Sequence, residues 1–342
     1  MSQPEEYQAV RRHAGLIDCS AWGVVEVRGA DRVAFLHNLL TQDIKTLASG
    51  MGGEAALVNP TAKLLADLVV LADVDAHWLI LPRSRTDTAL KTLEHYLIAE
   101  DVTIHDRTST HVILALQGPA TEGILQEMAG ATLATLPALA HQMVTIQDVP
   151  VRAVAHSITG SPGFLLVTPA EHTARLRDYL LHDGRAKELR RVGREALNVL
   201  RLEAGIPWYG VDMDESNLLP ETGLEARTVS QTKGCYVGQE VIARLATHGS
   251  VSRKLMGLIC EGQEVPQPKD VIMSAGGGSD PGGKDGQPVG EITSACFSPA
   301  LKRPIALGYV KRPWYEVGTT VTIARGDQMS SATLVSLPFV QF

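Results

Sequence analysis

A single cysteine between two glycines is the most chemically suggestive feature of this sequence. It lies in the octet Lys233-Gly234-Cys235-Tyr236-Val237-Gly238-Gln239-Glu240, with a lysine on one side and a carboxylate on the other. Glycines allow a tight turn and the close approach of a ligand, and a nearby cation favours the thiolate, the reactive form of cysteine. The alternative is a turn in which Cys235 packs as a small hydrophobic residue. Spacing alone favours that alternative, and it does not choose among a nucleophile, a transient metal or sulfur ligand, and a redox-sensitive thiol.

A second candidate for chemistry is the carboxylate Asp67. It directly precedes the apolar residues Leu68, Val69 and Val70, which are typical of a strand. A partly apolar environment would raise the pKa of the carboxyl group, and such a group can exchange a proton with a substrate. The equally simple alternative is a carboxylate that caps the end of a strand.

The elements that must position these residues are duplicated in the first two hundred residues. Residues 24–29 read as a strand that ends at Gly29, and residues 112–118 repeat it with Gly118. A helix follows each glycine, and we expect Asp31 to cap the first helix and Pro119 to lie near the first turn of the second. A further strand and helix recur at nearly the same spacing, at residues 78–97 and 164–180.

Each repeat therefore reads strand, helix, hairpin strands, helix, strand, which predicts an α+β fold with two ferredoxin-like lobes. In the first repeat we expect the middle strands near residues 54–58 and 64–71, and the last strand at residues 102–105. A helix over residues 193–204 should end at Gly205. From about Val251 short strands dominate, which predicts a small all-β barrel or sandwich. The expected strands include residues 255–260, 289–293, 306–310, 320–324 and 332–337. Residues 274–283 are rich in glycine and read as a flexible hairpin tip.

Composition excludes several classes of protein. The 342 residues suggest two or three domains. The net charge of −7 argues against a broad nucleic-acid surface. No apolar run is long enough to span a membrane, and the polar N-terminus lacks a secretory signal, so we expect a cytoplasmic location. The four cysteines show no spacing typical of zinc or a cluster, so no metal site is expected.

The octet, as Lys-Gly-Cys-Tyr-x-Gly-Gln-Glu, resembles the signature of the YgfZ family of folate-binding proteins. That family is related to the glycine-cleavage T-protein and is associated with iron–sulfur proteins. The likeness covers the whole chain, because residues 13–20, 200–205 and 289–294 resemble motifs of the T-protein superfamily. It implies a folate-binding domain of two lobes at residues 1–247 and a C-terminal β-barrel at residues 251–342.

The resemblance also implies ligands and their contacts. The ligand would be tetrahydrofolate or a one-carbon derivative of it. Glu203 would accept two N–H groups of the pterin, unless it pairs with Arg201 on the surface. The glutamate tail of folate requires cations, for which we expect Arg244 and Arg253, with Arg227 as a weaker candidate. Residues that can stack on the pterin are Trp208, Tyr209 and Tyr236. Ordinary surface arginines and aromatic core packing are the alternatives.

Two functions follow from the resemblance. The first is a tetrahydrofolate-binding accessory protein that supports the assembly or repair of iron–sulfur proteins, with iron–sulfur clients as partners. The alternative is a folate-dependent aminomethyltransferase, which would make Asp67 catalytic. A T-protein typically has adjacent aspartates here, but this chain has Ala66 beside Asp67, which counts against the alternative. A third interpretation is an interaction module whose pocket is vestigial. The sequence leaves open whether the chain turns over a substrate.

Overall fold

The computed structural model describes residues 3–130, 136–275 and 286–341. The chain forms two compact units. Unit 1 comprises Met1–Leu197 and Leu224–Gln239, and unit 2 comprises Asn198–Gly223 and Glu240–Phe342. Most of the glycine-rich stretch predicted as a hairpin tip, residues 276–283, lies outside the described residues.

Unit 1 begins with a helix and a strand and continues with the first of two lobes. The N-terminal elements are α1 (Gln3–Arg12) and β1 (Ala14–Asp18). The elements of lobe 1 are β2 (Trp22–Arg28), α2 (Arg32–Leu39), β3 (Gly52–Val58), β4 (Leu64–Ala72), β5 (Ala76–Pro82), α3 (Thr86–Tyr96) and β6 (Thr103–Asp106). Its strands form a five-stranded sheet in the order β3-β4-β5-β2-β6.

Lobe 2 repeats this order of elements. Its members are β7 (His111–Gln117), α4 (Thr121–Ala129), β8 (His141–Ile146), β9 (Val149–Ala155), β10 (Gly163–Pro169), α5 (Ala170–Asp183) and β11 (Leu189–Val192). Its six-stranded sheet has the order β8-β9-β10-β7-β1-β11, which matches lobe 1 except that β1 is inserted before the last strand. The predicted duplication is confirmed.

Each lobe has one strand more than the predicted split βαβ arrangement. Three strands rather than two lie between the helices, because the strand that leads into the second helix joins the hairpin as a third member. The central pair β2 and β5 is consequently antiparallel, as are β7 and β10.

The side chains of the lobe 1 strands point alternately to the two faces of the sheet. Alternate residues of a strand point to opposite sides of the sheet. On β4, Ala66, Leu68 and Val70 belong to the apolar core that includes residues of α2 and α3. Asp67 and Val69 therefore point to the other face, away from those helices.

The glycine turns and the N-cap position of Asp31 were predicted correctly, but the side-chain cap of α2 was not. Gly29 has φ +109°, and a Cβ there would lie 2.0 Å from the carbonyl oxygen of Asp101, so only glycine fits. Asp31 does not cap α2 with its side chain. Its carboxylate instead accepts a hydrogen bond from the backbone N–H of Asp101 at 2.8 Å. Pro119 lies outside α4, which begins at Thr121.

After the lobes, the part of the chain that the structure describes forms three α-helices and a barrel. The helices are α6 (Arg194–Glu203), α7 (Glu225–Thr228) and α8 (Gln239–His248). As predicted, Gly205 follows α6 with a left-handed φ of +65°. The barrel strands are β12 (Arg253–Cys260), β13 (Val271–Ser274), β14 (Pro288–Ser298), β15 (Arg303–Lys311), β16 (Thr320–Arg325) and β17 (Gln328–Val335).

The barrel is closed, in the order β12-β15-β14-β13-β16-β17. Five of its strands coincide with predicted ones, and the short β13 was not predicted. The apolar side chains of its interior form a core of their own, which includes Leu258, Ile292 and Val321. Within the described residues, no helix has the length and apolarity that a membrane crossing requires.

Candidate functional site

The octet lies against lobe 1 through its lysine. The Lys233 ammonium is buried and donates hydrogen bonds to the carbonyl oxygens of His37, Leu40 and Gln42, the latter two at 2.6 and 3.0 Å. His37 and Leu40 lie at the C-terminal end of α2, where carbonyl groups lack helical partners and a cation is favourable. Burial lowers the pKa of Lys233 to about 8. The role of Lys233 as a counter-charge for Cys235 stays a prediction, because neutral carbonyl partners leave the charge of the ammonium in place.

Further contacts fix the octet on both sides of the cysteine. The Tyr236 ring is buried and has the Lys233 ammonium 4.8 Å from its centre. Gly238 has φ +81°, and a Cβ there would lie 2.7 Å from the carbonyl oxygen of Asn59, in the turn between β3 and β4. Gln239 begins α8, and Glu240 follows it in the first turn. Cys235 itself is exposed, as is Gly234. The octet thus buries its anchors and presents its thiol to solvent, which excludes the packed-cysteine alternative.

Asp67 has the environment expected of a reactive carboxyl group. The residue as a whole is half-buried. Its Oδ1 is shielded from solvent and has no hydrogen-bond partner in the described residues. Burial raises the pKa of Asp67 to about 6, against the opposing effect of the positive charge of Arg227. A buried, unsatisfied oxygen is costly to the fold, and such costs are typical of functional sites.

Two charged neighbours surround Asp67. Arg227, on α7, forms an ion pair with Glu54 of β3, with 2.9 Å between Nη1 and Oε1. His156, which follows β9, also lies near Arg227. Burial and the charge of Arg227 lower the pKa of His156 to about 4, so its ring is neutral at pH 7. The structure thus brings Asp67 and Arg227 together, and it adds Glu54 and His156, which were not predicted.

Glu203 is held inside unit 2. Its side chain is fully buried. Its Oε1 accepts hydrogen bonds from the Ser298 hydroxyl at 2.6 Å and from the backbone N–H of Ala300 at 3.2 Å. These contacts attach α6 to the turn between β14 and β15. The alternative of a surface ion pair with Arg201 is wrong, because Glu203 is buried and Arg201 pairs with Asp212. Binding of a pterin by Glu203 stays a prediction.

The other predicted ligand residues of unit 2 have structural partners or are exposed. Arg253 forms an ion pair with Glu221 at 3.1 Å and lies over the Tyr309 ring. Trp208 lies 4.6 Å beneath the Arg201 guanidinium. Arg244 is exposed on α8, and Tyr209 is half-buried. Their contacts with folate stay predictions.

Sequence reasoning missed the buried network around Asp212. This carboxylate pairs with Arg201 and accepts hydrogen bonds from the Ser294 hydroxyl, the Thr293 hydroxyl at 2.7 Å and the backbone N–H of Trp208 at 2.9 Å. Two of these donors lie on β14, so the network ties the segment after α6 to the barrel. An aspartate in a polar loop gave no signal of this role.

Comparison with known proteins decides the family. The GCVT N-terminal domain matches residues 2–233, and the glycine cleavage T-protein C-terminal barrel domain matches residues 253–341. The chain belongs to the glycine cleavage T-protein family. T-protein relatives span almost its whole length. The "Aminomethyltransferase" of Synechococcus sp. (strain RCC307) is 31% identical over 98% of this chain and 89% of that protein. The "Aminomethyltransferase" of Symbiobacterium thermophilum is 32% identical over 98% and 88%.

A solved T-protein has the same fold. The crystal structure of the glycine cleavage system aminomethyltransferase T from Bartonella henselae superimposes with a TM-score of 0.87. It is 25% identical and covers 99% of this chain and 90% of its own. The predicted α+β fold with two lobes and a C-terminal barrel is confirmed. These relatives bear the name of the alternative function, and they give no support to the YgfZ branch or to a role with iron–sulfur proteins. Tetrahydrofolate is the ligand of this family.

Proposed function

We propose that this chain binds tetrahydrofolate and transfers a one-carbon unit to it, as an aminomethyltransferase does. Asp67 carries the proposal, because its Oδ1 is buried and unpartnered and burial raises its pKa to about 6. A carboxyl group that titrates near neutrality can give and take a proton during turnover. The T-protein relatives, named aminomethyltransferase over nearly the whole chain, support the same chemistry.

The alternation of β4 removes the objection that Ala66 raised. Ala66 is fully buried on the helix-covered face of lobe 1, whereas Asp67 points to the opposite face. A carboxylate at position 66 would lie in that apolar core, where a charge is costly. This difference supports Asp67 as the member of the pair that meets a ligand, and this chain retains it.

The chemistry requires a proton acceptor and donor. Tetrahydrofolate supplies the nitrogen nucleophiles that take up the carbon. An aminomethyl donor would pass its carbon to folate nitrogen and release ammonia, which leaves methylene-tetrahydrofolate and a free thiol on the donor. The two folate nitrogens lose one proton each in this step; the departing amine gains one of them and the sulfur of the donor gains the other. Asp67 is proposed to move a proton at one of these atoms.

A transfer assay tests the proposal. Purified protein is mixed with tetrahydrofolate and an aminomethyl donor on a lipoyl carrier protein, and methylene-tetrahydrofolate is measured. We expect Asp67→Asn to lower the rate by about 10²–10⁴-fold, the usual contribution of a proton-transfer group. Calorimetry should show tetrahydrofolate bound by both proteins. The exposed Asp87→Asn, on α3 of the same lobe, is the matched control. Tetrahydrofolate binding without any transfer by the unmodified protein would contradict the proposal.

One observation favours a second candidate function, support of iron–sulfur proteins. The octet buries Lys233 and Tyr236 and leaves Cys235 exposed, an arrangement suited to a thiol that meets a partner. Iron–sulfur enzyme activities are measured in a host that lacks its own copy of the protein and is complemented with Cys235→Ala. This candidate predicts failure of that variant to restore the activities, with transfer of the one-carbon unit intact in vitro. Full restoration would exclude it.

A further inference from the structure

The unpartnered oxygen of Asp67 lies close to a cation that does not bind it. Arg227 is near enough to act on the charge of Asp67, yet no ion pair joins the two within the described residues. Its guanidinium is instead 2.9 Å from Glu54. An arginine beside a buried carboxylate would normally form a charge-assisted hydrogen bond, so the choice of Glu54 over Asp67 requires a cause.

We propose that Glu54 is a positioning residue that holds the Arg227 guanidinium away from Asp67, so that the Asp67 carboxyl group keeps an oxygen free for the substrate. The mention of substrate rests on the proposed function, whereas the capture of Arg227 does not. Glu54 acts on Asp67 through Arg227, to which it is paired.

The register of the sheet puts Glu54 where it can do this. Ala56 of β3 lies opposite Asp67 of β4, and Glu54 lies opposite Val69. Residues two apart on a strand share a face, so Glu54 and Asp67 are diagonal neighbours on the face away from the helices. The Cβ atoms of such neighbours are about 7–8 Å apart. The carboxylate of Glu54 therefore competes with Asp67 for the same cation.

Residues of lobe 1 also bind the backbone of Arg227 and of its neighbour Thr228. The side-chain amide of Gln42 donates to the carbonyl oxygens of Glu54 at 3.1 Å and of Arg227 at 3.4 Å. The Thr41 hydroxyl donates to the carbonyl oxygen of Thr228 at 2.6 Å. Gln42 thus contacts both members of the ion pair, and α7 is fixed at a set distance from β3.

Two further ionisable groups of unit 1, one near Arg227 and one bound to strand β4, do not replace Glu54. His156 is neutral at pH 7 because burial and the charge of Arg227 lower its pKa to about 4. Arg85, which precedes α3, donates its Nε–H to the carbonyl oxygen of Leu65 at 2.8 Å. Glu54 and Arg227 are the charges that act on the carboxyl group of Asp67 most strongly.

The test follows the protonation of Asp67 directly, in the ligand-free protein. The protein is labelled with ¹³C at aspartate carboxyl groups, and the Asp67 resonance is assigned by its loss in Asp67→Asn. We expect a titration midpoint of about 6 in the unmodified protein. In Glu54→Gln the midpoint should fall by about one pH unit, because the freed guanidinium can pair with Asp67 and the like charge of Glu54 is gone. In Arg227→Gln it should rise.

A double variant separates capture of the arginine from simple repulsion. If Glu54 acts by holding Arg227, then Glu54→Gln lowers the midpoint much less in an Arg227→Gln background than in the unmodified protein. The exposed Glu94→Gln, on α3, is the matched control and should leave the midpoint unchanged. Circular dichroism checks that each variant is folded, and Arg227→Gln alone provides the test if Glu54→Gln is not.

Two results would overturn the inference. One is a midpoint in Glu54→Gln equal to that of the control. The other is a fall in the midpoint on Glu54→Gln that is equal with and without Arg227. That result would mean that Glu54 acts on Asp67 only by charge repulsion. Because the readout needs neither folate nor turnover, it is independent of the transfer assay. An inactive protein that shows the expected shifts would refute the proposed function and retain this inference.

Discussion

The two lobes share one order of strands and helices but treat their charged residues differently. In lobe 2, the buried Arg152 of β9 is fully engaged. Its guanidinium donates to Asp73 at 2.7 Å and to Nδ1 of His141 at 3.0 Å, and it lies over the Trp78 ring. In lobe 1, Asp67 of the corresponding strand β4 has a buried oxygen without a partner. A satisfied buried charge stabilises the unit, whereas an unsatisfied one is available for chemistry.

The partners of Arg152 come from lobe 1, so this charge joins the two lobes. Asp73 lies in the turn between β4 and β5, and Trp78 lies in β5. His141 of lobe 2 has its Nε2 3.0 Å from the carbonyl oxygen of Ala72. Because the guanidinium donates to Nδ1, the geometry assigns the ring proton to Nε2. Arg152 therefore organises contacts across unit 1, while the contacts around Asp67 leave it free.

The largest loss of stability should come from removing the side chain of Arg152, which is hydrogen-bonded to Asp73 and His141. Arg152→Ala removes the partner of Asp73 and of His141, and we expect a loss of about 2–4 kcal/mol in the free energy of unfolding. Urea denaturation measures it, with the exposed Arg175→Ala of the same lobe as control. A loss no greater than that of the control would show that the Arg152 contacts do not hold the lobes.

A smaller loss is expected where a single hydrogen bond to a buried carboxylate is removed. Ser298→Ala deletes the 2.6 Å bond to Glu203, together with the 3.1 Å bond that the hydroxyl accepts from the backbone N–H of Leu301. We expect it to destabilise the protein by about 1.5–3 kcal/mol, with the exposed Ser252→Ala as control. An unchanged affinity for tetrahydrofolate, measured by calorimetry, would count against the predicted contact between Glu203 and the pterin. A weakened affinity would instead support the predicted contact between Glu203 and the pterin.

Removing the charge of Asp67, whose Oδ1 has no hydrogen-bond partner in the described residues, should instead increase the stability of the protein. The pKa of Asp67 is raised from its ordinary value to about 6 in the folded state, so ionisation there opposes folding. Its unfavourable contribution is absent at low pH and develops as the pH rises from about 4 to about 6. Asp67→Asn should therefore increase the free energy of unfolding at pH 7 by about 1–2 kcal/mol. The gain over the unmodified protein should vanish near pH 4; a gain independent of pH would contradict the burial of an unpaired charge.

The smallest effect is expected at the exposed thiol. Cys235 has no buried contact to lose, so Cys235→Ser should change the free energy of unfolding by less than about 0.5 kcal/mol. The rate of one-carbon transfer should also be unchanged. A large fall in that rate would show that Cys235 takes part in the transfer. The contrast between Asp67 and the satisfied charge of lobe 2 would then not explain where the reaction occurs.

The architecture of the lobes could be predicted from the sequence because each repeat has the same local pattern of apolar strands, glycines and helices. Gly29 and Gly118 each follow an apolar strand, and the spacing of the helices after them is nearly the same. The barrel strand β13 was missed because it has only four residues, one of which, Val271, is exposed. The third strand between the helices of each lobe was recognised, but its membership of the hairpin was not.

The partners of the charged residues were harder to predict, because they come from distant parts of the chain. Glu54 and Arg227 are 173 residues apart. Lys233 is next to the cysteine motif in sequence, yet its ammonium binds carbonyl groups of the segment that ends α2, more than 190 residues earlier. Proximity along the chain therefore gave no indication of the hydrogen-bond partners of Lys233. Asp67 was identified as a candidate, but its missing hydrogen-bond partner is visible only in the folded chain.

The dependence of the transfer rate on pH tests the role of Asp67 most directly. The rate of methylene-tetrahydrofolate formation is measured with saturating tetrahydrofolate and donor, from mildly acidic to neutral pH, for the unmodified protein and for Asp67→Asn. Proton transfer by Asp67 predicts an inflection at about pH 6 that is absent from the residual rate of the variant. An identical profile in the two proteins would show that another group moves the proton.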